Sequence, residues 1–522
     1  MSSRGVGPAC AAALTLLALA APCGAQDAER GRALYEKWCV ECHGAEGRGD
    51  GPAADRMLPR PRDFVQARYQ IRTTASGELP TDEDLLNVLR NGMPGTVMPA
   101  WPNLGEAERR DVIAYIKSFS RFFQGAAPQP ADLGSDPGGG ADALESGRDA
   151  YRALECWKCH GDSGRGNGQS APTLEDWRKL PIRAADLTEP WGFNGGFTVE
   201  AIHTRMLTGL DGTPMPAYSD ALASGVVSDK ELWDLARYVR SLAPESEPRV
   251  RDVIVARRFE GPLPDGPDAQ GWDKMETFYI PLVGQVIQKP RQLAPAVDGV
   301  WVQAAHDGTE LAMRVSWSDP SRSPDPSWDE WQEKITATLF ADDRDTTVTE
   351  LPHLPDGLLV QFPPTIPEGM ERPYFLMGDG RRPVYLWSWG SEGGVGEAWA
   401  RGLGQLQPMD GEGVGGSAAY DDGRWRVHFR RALVTKTEGA LAFQEGVAIP
   451  VAFFAWDGSS GETAVRGSVS GWYYVYLEEP ASTVRYAAPV LAVLLTGGLG
   501  LLAVSRAQRR ARREEEAQAV MV

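Results

Sequence analysis

The sequence predicts a multidomain chain: two small all-α units, an all-β sandwich and one C-terminal transmembrane helix. Three observations predict it. Residues 26–246 contain a long internal repeat; residues 250–480 switch to an alternating period rich in tryptophan; and the chain closes on an uncharged run followed by arginines. At 522 residues there is room for three or four domains.

The repeat centres on Cys39-Val40-Glu41-Cys42-His43 and its echo Cys156-Trp157-Lys158-Cys159-His160. C-x-x-C-H is the attachment pattern of c-type haem: the two thiols add to the haem vinyl groups, and the histidine binds iron from below the ring. Taken alone, such a pentapeptide also fits a redox dithiol or half a zinc site. Here the echo extends further. Gly-Ala-Glu-Gly-Arg-Gly-Asp-Gly follows His43, and Gly-Asp-Ser-Gly-Arg-Gly-Asn-Gly follows His160. Gly95-Thr96-Val97-Met98-Pro99 and Gly212-Thr213-Pro214-Met215-Pro216 then recur at the same interval from their histidines. A soft thioether at a fixed distance from the haem histidine suits a sixth iron ligand. The expectation is therefore two cytochrome c units, each with one haem c. The first is bound at Cys39 and Cys42 with iron between His43 and Met98. The second is bound at Cys156 and Cys159 with iron between His160 and Met215.

In chain order, residues 1–25 read as a secretory signal peptide, with Arg4 ahead of the apolar run Ala11–Ala21 and small residues at Cys23-Gly24-Ala25. Its removal would take away Cys10 and Cys23, the two cysteines outside the haem motifs. The first unit occupies residues 26–125. A helix from Asp27 to Trp38 delivers the motif, Thr81-Asp82-Glu83-Asp84 opens a second helix that closes at Asn91-Gly92, and Val112, Tyr115, Ile116 and Phe119 mark one face of a third. Residues 126–141, rich in Gly and Pro, form a linker with little apolar surface to bury. The second unit spans residues 142–246 and ends on a helical face of Leu232, Leu235 and Val239. Asp63 and Asp186 stand at different distances from their histidines, so the insert between histidine and methionine is rearranged.

Eleven of the 17 tryptophans lie between Trp272 and Trp472. Leu311, Met313, Val315 and Trp317 alternate with Ala312, Arg314 and Ser316. Leu358–Phe362, Val384–Trp389, Trp425–Phe429, Val447–Trp456 and Val469–Leu477 read as further strands, with turns at Asp422-Gly423 and Asp457-Gly458. A single sandwich over residues 250–480 accounts for them. Residues 486–505 carry no charge and fit a membrane helix; Arg506, Arg509, Arg510, Arg512 and Arg513 follow, which places the 506–522 tail in the cytoplasm and the rest of the chain outside it. The expected location is the periplasmic face of the cytoplasmic membrane. A net charge of −18 without a basic stripe argues against nucleic acid as a partner.

Several stretches of the third region resemble the haem-binding subunit of type II dimethyl-sulfoxide-reductase-family enzymes. The type member is ethylbenzene dehydrogenase gamma; others occur in dimethylsulfide dehydrogenase, chlorate and selenate reductases and some nitrite oxidoreductases. The matching pieces run from Asp307 to Pro320, Val360 to Pro363, Phe375 to Asp379, Pro383 to Trp389 and Ser468 to Tyr473. The resemblance implies a β-sandwich holding one haem b between a methionine and a lysine, and a molybdopterin and iron–sulfur oxidoreductase as partner. The methionine maps onto Met377. The lysine position reads Val465-Arg466-Gly467-Ser468, and a guanidinium offers iron no lone pair. Either haem b is bound otherwise, with His428 as the other donor, or the domain has lost it and filled the slot with bulky side chains.

The remaining histidines suggest no ligand role: His203 corresponds to Leu86 in the first unit, while His306 and His353 fall in apparent loops and are expected to be solvated. No nucleophile–base pair, phosphate loop or carboxylate dyad stands out, so no substrate-transforming site is expected. The chain reads as a membrane-anchored periplasmic diheme electron-transfer subunit that hands electrons between a redox partner docked on the sandwich and a further carrier. The rival reading is a ligand-binding or redox-sensing sandwich with attached cytochrome domains.

Overall fold

The computed structural model describes residues 27–289, 291–339, 354–369, 371–409, 413–480 and 483–519. The 1–25 segment, with Cys10 and Cys23, and His353 lie outside these residues.

In the first unit, α1 (Ala28–Trp38) starts where the Asp27 carboxylate accepts from the Glu29 and Arg30 N–H groups. The haem motif forms a single turn, α2 (Val40–His43), followed by α3 (Asp82–Asn91), with Thr81 and Asp84 as a capping box, and α4 (Glu106–Ser118). The second unit repeats the plan: α5 (Ala143–Ala153), α6 (Trp157–His160), α7 (Val199–Thr208), a short α8 (Ser219–Ala223) and α9 (Asp229–Ser241). The first and last helices cross closely in both units. A Cβ on Gly31 would stand 1.9 Å from the Asp111 carbonyl oxygen, and one on Gly147 would stand 2.2 Å from that of Asp234, so only glycine permits the crossing.

The segment between the units forms no helix or strand before Ala143, but it is anchored. Ala131 and Leu133 pack on the second unit's core and the Ala131 N–H donates to the Thr73 carbonyl at 2.8 Å. The expectation of little apolar burial is corrected at these two residues.

The third region contains β1 (Val253–Arg258), β2 (Phe278–Pro281), β3 (Val283–Gly284), β4 (Gly299–His306), β5 (Glu310–Ser318), α10 (Asp329–Leu339), β6 (Gly357–Phe362), β7 (Val384–Gly390), β8 (Gly394–Ala400), β9 (Leu406–Pro408), β10 (Val414–Asp421), β11 (Arg424–Ala432), β12 (Ala448–Trp456), β13 (Ser468–Val469) and β14 (Tyr473–Leu477). The main strand order is β10-β11-β5-β4-β1-β14-β12-β6-β7-β8-β9. β1 runs parallel to β14 through Val253–Ala256 and to β4 through Arg257 and Arg258, so it joins two layers that fold over a common core. Alternation sends Val315, Trp317, Val427 and Phe429 inward from one layer and Trp387, Trp389, Val451 and Phe453 inward from the other. Asp422 and Gly423, both with positive φ, form the two-residue turn between β10 and β11.

Three local expectations change. The Val469–Leu477 run divides into β13 and β14. Asp457-Gly458 leads into a 3-10 turn, not a hairpin, and the Asp457 side chain is buried. His306 is neither in a loop nor solvated: it ends β4, fully buried, where desolvation lowers its pKa. Its strand partners are Leu311 of β5 and Arg258 of β1, and that pairing cannot be read from its local sequence.

The last helix, α11 (Thr483–Ala519), contains a stretch, Ala487–Ala517, that is long and apolar enough to cross a membrane and stands clear of the rest of the protein.

Candidate haem centres

Each C-x-x-C-H turn is held by the same bonds. The Tyr35 hydroxyl donates to the Gly44 carbonyl at 2.7 Å, and the Tyr151 hydroxyl to the Gly161 carbonyl at 2.6 Å. The histidine rings are fixed from behind: Nδ1 of His43 lies 3.2 Å from the Arg62 carbonyl oxygen, and Nδ1 of His160 lies 2.9 Å from that of Ala185. Such a bond places the proton on Nδ1 and frees Nε2 as a lone-pair donor. Burial lowers the His43 pKa to about 4 and shifts that of His160 in the same direction, so both rings are neutral. Burial also pushes the Cys39 thiol up to about 12 and the Cys156 thiol up to about 11. A redox dithiol needs the opposite shift.

The carbonyls that hold the histidines belong to the residues before Asp63 and Asp186. Asp63 accepts from the Val65 and Gln66 N–H groups, and Asp186 from the Thr188 N–H and hydroxyl. The turns are therefore equivalent although their sequence offsets differ, because the second unit inserts residues before its turn and the first inserts them after. Both insertions become contacts. From the second unit's insert, Glu175 accepts from Lys334 of α10 at 2.5 Å. From the first unit's, Arg72, Ser76 and Gly77 all reach Asp211 of the second unit.

The two methionine loops also coincide. The Thr96 hydroxyl donates to the Met93 carbonyl at 2.7 Å and accepts from the Met98 N–H at 3.1 Å. The Thr213 hydroxyl does the same for the Leu210 carbonyl at 2.8 Å and the Met215 N–H at 3.1 Å. This explains the Gly-Thr-x-Met frame: threonine supplies the two bonds that hold the methionine backbone.

All eight residues of the two constellations line one continuous cavity of about 590 Å³. Paired thiols that are not joined to each other, a neutral histidine with Nε2 available, a half-buried thioether and apolar walls of Leu85, Leu89, Ile202 and Met206 fit a haem in each half. The sandwich completes the cavity: Trp331, Ile335 and Leu339 of α10 line it, as do Gln292, Pro295 and Ser460. No local pattern in the sequence signals this wall.

Met377 lies elsewhere. It is fully buried among Leu359, Leu376, Leu386, Ala398, Phe454 and Val469, with Trp456 and Trp472 against the same cluster. These residues cover the outward face of the β12-β6-β7 layer, since their neighbours in the strands point into the core. His428 is on the outward face of the other layer, edge-on to Trp272 at 5.9 Å. The whole core separates the two, so His428 is not the second donor for Met377. At the expected lysine position, the Arg466 guanidinium donates to the Gly461 carbonyl.

The sequence also gave no warning of a buried acidic group. Asp319, Asp356 and Asp457 have oxygens within 4.8 Å of one another, with Glu462 bonded to the Asp457 N–H. Desolvation raises the pKa of Asp319, Asp356 and Glu462. His203 stacks on Trp233 at 3.8 Å and is not among the residues that line the haem cavity.

Folds and sites of this kind define c-type cytochromes. Residues 26–116 match the family Cytochrome C oxidase, cbb3-type, subunit III, and residues 144–243 match the family Cytochrome c. The chain thus carries two cytochrome c domains, followed by a large β-sheet region. It is 27% identical over 211 residues to a protein of Haloferax mediterranei that bears the name of a respiratory nitrate reductase heme subunit, ORF7, covering 40% of this chain and 67% of that protein. It is 25% identical over 219 residues to the chlorate reductase subunit gamma of Ideonella dechloratans, covering 41% of this chain and 80% of that one. Among solved structures, a chain of the Kuenenia stuttgartiensis reducing HAO-like protein complex is 41% identical, with 41% of this chain and 96% of that chain covered and a TM-score of 0.39.

Proposed function

We propose that the chain is a membrane-anchored periplasmic diheme cytochrome c that serves as the electron-transfer subunit of a molybdenum oxidoreductase of the dimethyl-sulfoxide-reductase family. The opening of both Cys-Cys-His-Met constellations into one cavity is the observation that carries the proposal. Cys39 and Cys42, and Cys156 and Cys159, would hold one haem each, and the haems when bound would supply one-electron redox chemistry. His43 with Met98, and His160 with Met215, would hold the two irons, and two protein ligands on each would leave no site for a substrate and favour outer-sphere transfer. The apolar walls exclude water and keep the reorganisation accompanying each transfer small. The names of the relatives, a respiratory nitrate reductase heme subunit and a chlorate reductase subunit gamma, support an oxidoreductase as the partner, and the resemblance of the third region supports a molybdopterin and iron–sulfur one.

In this reading the sandwich binds no haem b in a methionine–lysine manner. Packed aliphatic side chains and two tryptophans surround Met377. The C-terminal helix anchors the chain, with Arg506–Arg513 on the cytoplasmic side. Purification of the tagged full-length chain from its native membrane tests the partner: a molybdopterin subunit should co-purify, and its substrate should reduce or oxidise the haems within a turnover. Isolation of the chain with no molybdenum-containing partner, and haems unresponsive to any such subunit, would reject this function.

A further inference from the structure

Several buried donors without partners line the haem cavity, the Tyr69 hydroxyl, the Trp101 and Trp331 Nε1–H groups and the Arg205 guanidinium, and of these only Arg205 carries a charge. Arg205 of α7 follows His160 at the interval that separates Val88 from His43, so the second unit has a guanidinium where its echo has an isopropyl group. Both Arg205 and Val88 line the cavity. The other cations of the wall are engaged: Arg62 donates to the Arg68 carbonyl at 2.9 Å, Arg60 pairs with Asp55 at 3.4 Å, and Arg183 pairs with Asp457 at 3.0 Å. Nε and Nη1 of Arg205 are buried and have no acceptor. The carboxylate nearest in charge, Asp84, is bonded to Thr73 and Thr81.

Trp331 presents the same situation from the third domain. It is 2% exposed, lines the cavity, and its Nε1–H has no partner. Its helix is held over the cavity by Lys334, which bonds Glu175 of the second unit at 2.5 Å, and by apolar contact with Leu58 of the first unit and Ala171 of the second. A buried donor without an acceptor costs about 1–3 kcal/mol, more if it is charged, so a charged donor and an indole donor from another domain facing one cavity call for an acceptor from its occupant. Haem brings carboxylates on its propionate arms.

We infer that Arg205 and Trp331 bind haem carboxylates, so that α10 of the sandwich is part of the haem site and sets the potential of a haem it does not ligate. The inference rests on the diheme reading above. Both residues are positioning residues, because they act on the iron through the carboxylate. A donor that neutralises the carboxylate favours the ferrous iron; its loss leaves more negative charge beside the ring and favours the ferric.

The test is potentiometric titration of the full chain in detergent, with Arg205→Gln, Arg205→Lys and Trp331→Phe beside the unaltered protein. Covalent haem content and the far-red methionine–iron band are recorded for each. Arg205→Gln should lower one of the two midpoint potentials while haem count and band stay unchanged, and Arg205→Lys should restore most of the loss. Trp331→Phe, which keeps the ring and removes only the N–H, should also lower a potential. If Arg205→Gln does not mature, Arg205→Met, which also removes the charge, takes its place, and Trp331→Phe decides for its own residue. Unchanged potentials in the charge-removing Arg205 variant and in Trp331→Phe, with both haems retained, would overturn the inference and leave the diheme function intact. Failure of the unaltered chain to bind haem covalently would overturn the function itself.

Discussion

Arg72 of the first cytochrome unit meets Asp211 of the second at 2.8 Å, with the arginine side chain wholly buried. Its remaining donors go to carbonyls on both sides of the boundary, Thr208 at 2.9 Å and Tyr69 at 3.2 Å. Asp211 also accepts from the Ser76 hydroxyl and the Gly77 N–H, each at 2.9 Å. The two haem units are therefore locked at a buried charge rather than strung on a linker, and their relative position is fixed.

Asp211→Ala leaves the Arg72 guanidinium buried without its counter-charge. Breaking a buried pair costs about 3–5 kcal/mol; with Asp211 partly open to solvent, the lower end applies. Scanning calorimetry should show the two haem units melting separately in the variant and together in the parent.

Thr213→Val removes the hydroxyl that joins the Met215 N–H to the Leu210 carbonyl. Each lost bond is worth about 1 kcal/mol. The far-red methionine–iron band of one haem should bleach at a lower temperature than in the parent. Thr96→Val should do the same for the other haem, and the two effects should be independent.

These paired effects show what the sequence made legible. The haem constellations repeat residue for residue, so one motif validates the other, and the strand alternation around Leu311–Trp317 reports a surface buried on one side. The inter-unit lock and the α10 wall were not legible. Arg72 and Asp211, or Trp331 and Leu58, meet only after the chain has folded, and neither pair leaves a periodic trace. His306 was misread for a related reason: a strand end next to Asp307-Gly308 looks like a loop until its neighbours cover it. The buried Asp319, Asp356 and Asp457 come from three separate segments, so no local pattern announced them.

Glu462 gives the sandwich a pH dependence. Desolvation raises its pKa from the ordinary 4.5 to about 7. An acid raised in the folded state holds its proton longer there than in the unfolded chain. Stability is therefore highest below 4.5 as far as this group is concerned and falls as pH rises toward about 7, by at most about 1.4 kcal/mol per pH unit. Glu462→Gln should flatten this part of the stability profile in denaturant titrations run between those pH values.

Met377→Leu conserves volume in a packed apolar cluster and should cost less than about 1.5 kcal/mol. Haem content should not change. Loss of a non-covalent haem in this variant would show that the thioether ligates iron.

The central claim is that each of the two cytochrome domains carries one covalent haem and the sandwich carries none. The most direct measurement is a pyridine haemochrome assay on the purified full chain, before and after acid–acetone extraction. The account predicts two haems c per chain and no extractable haem. A single covalent haem, or one extractable haem b per chain, would contradict it.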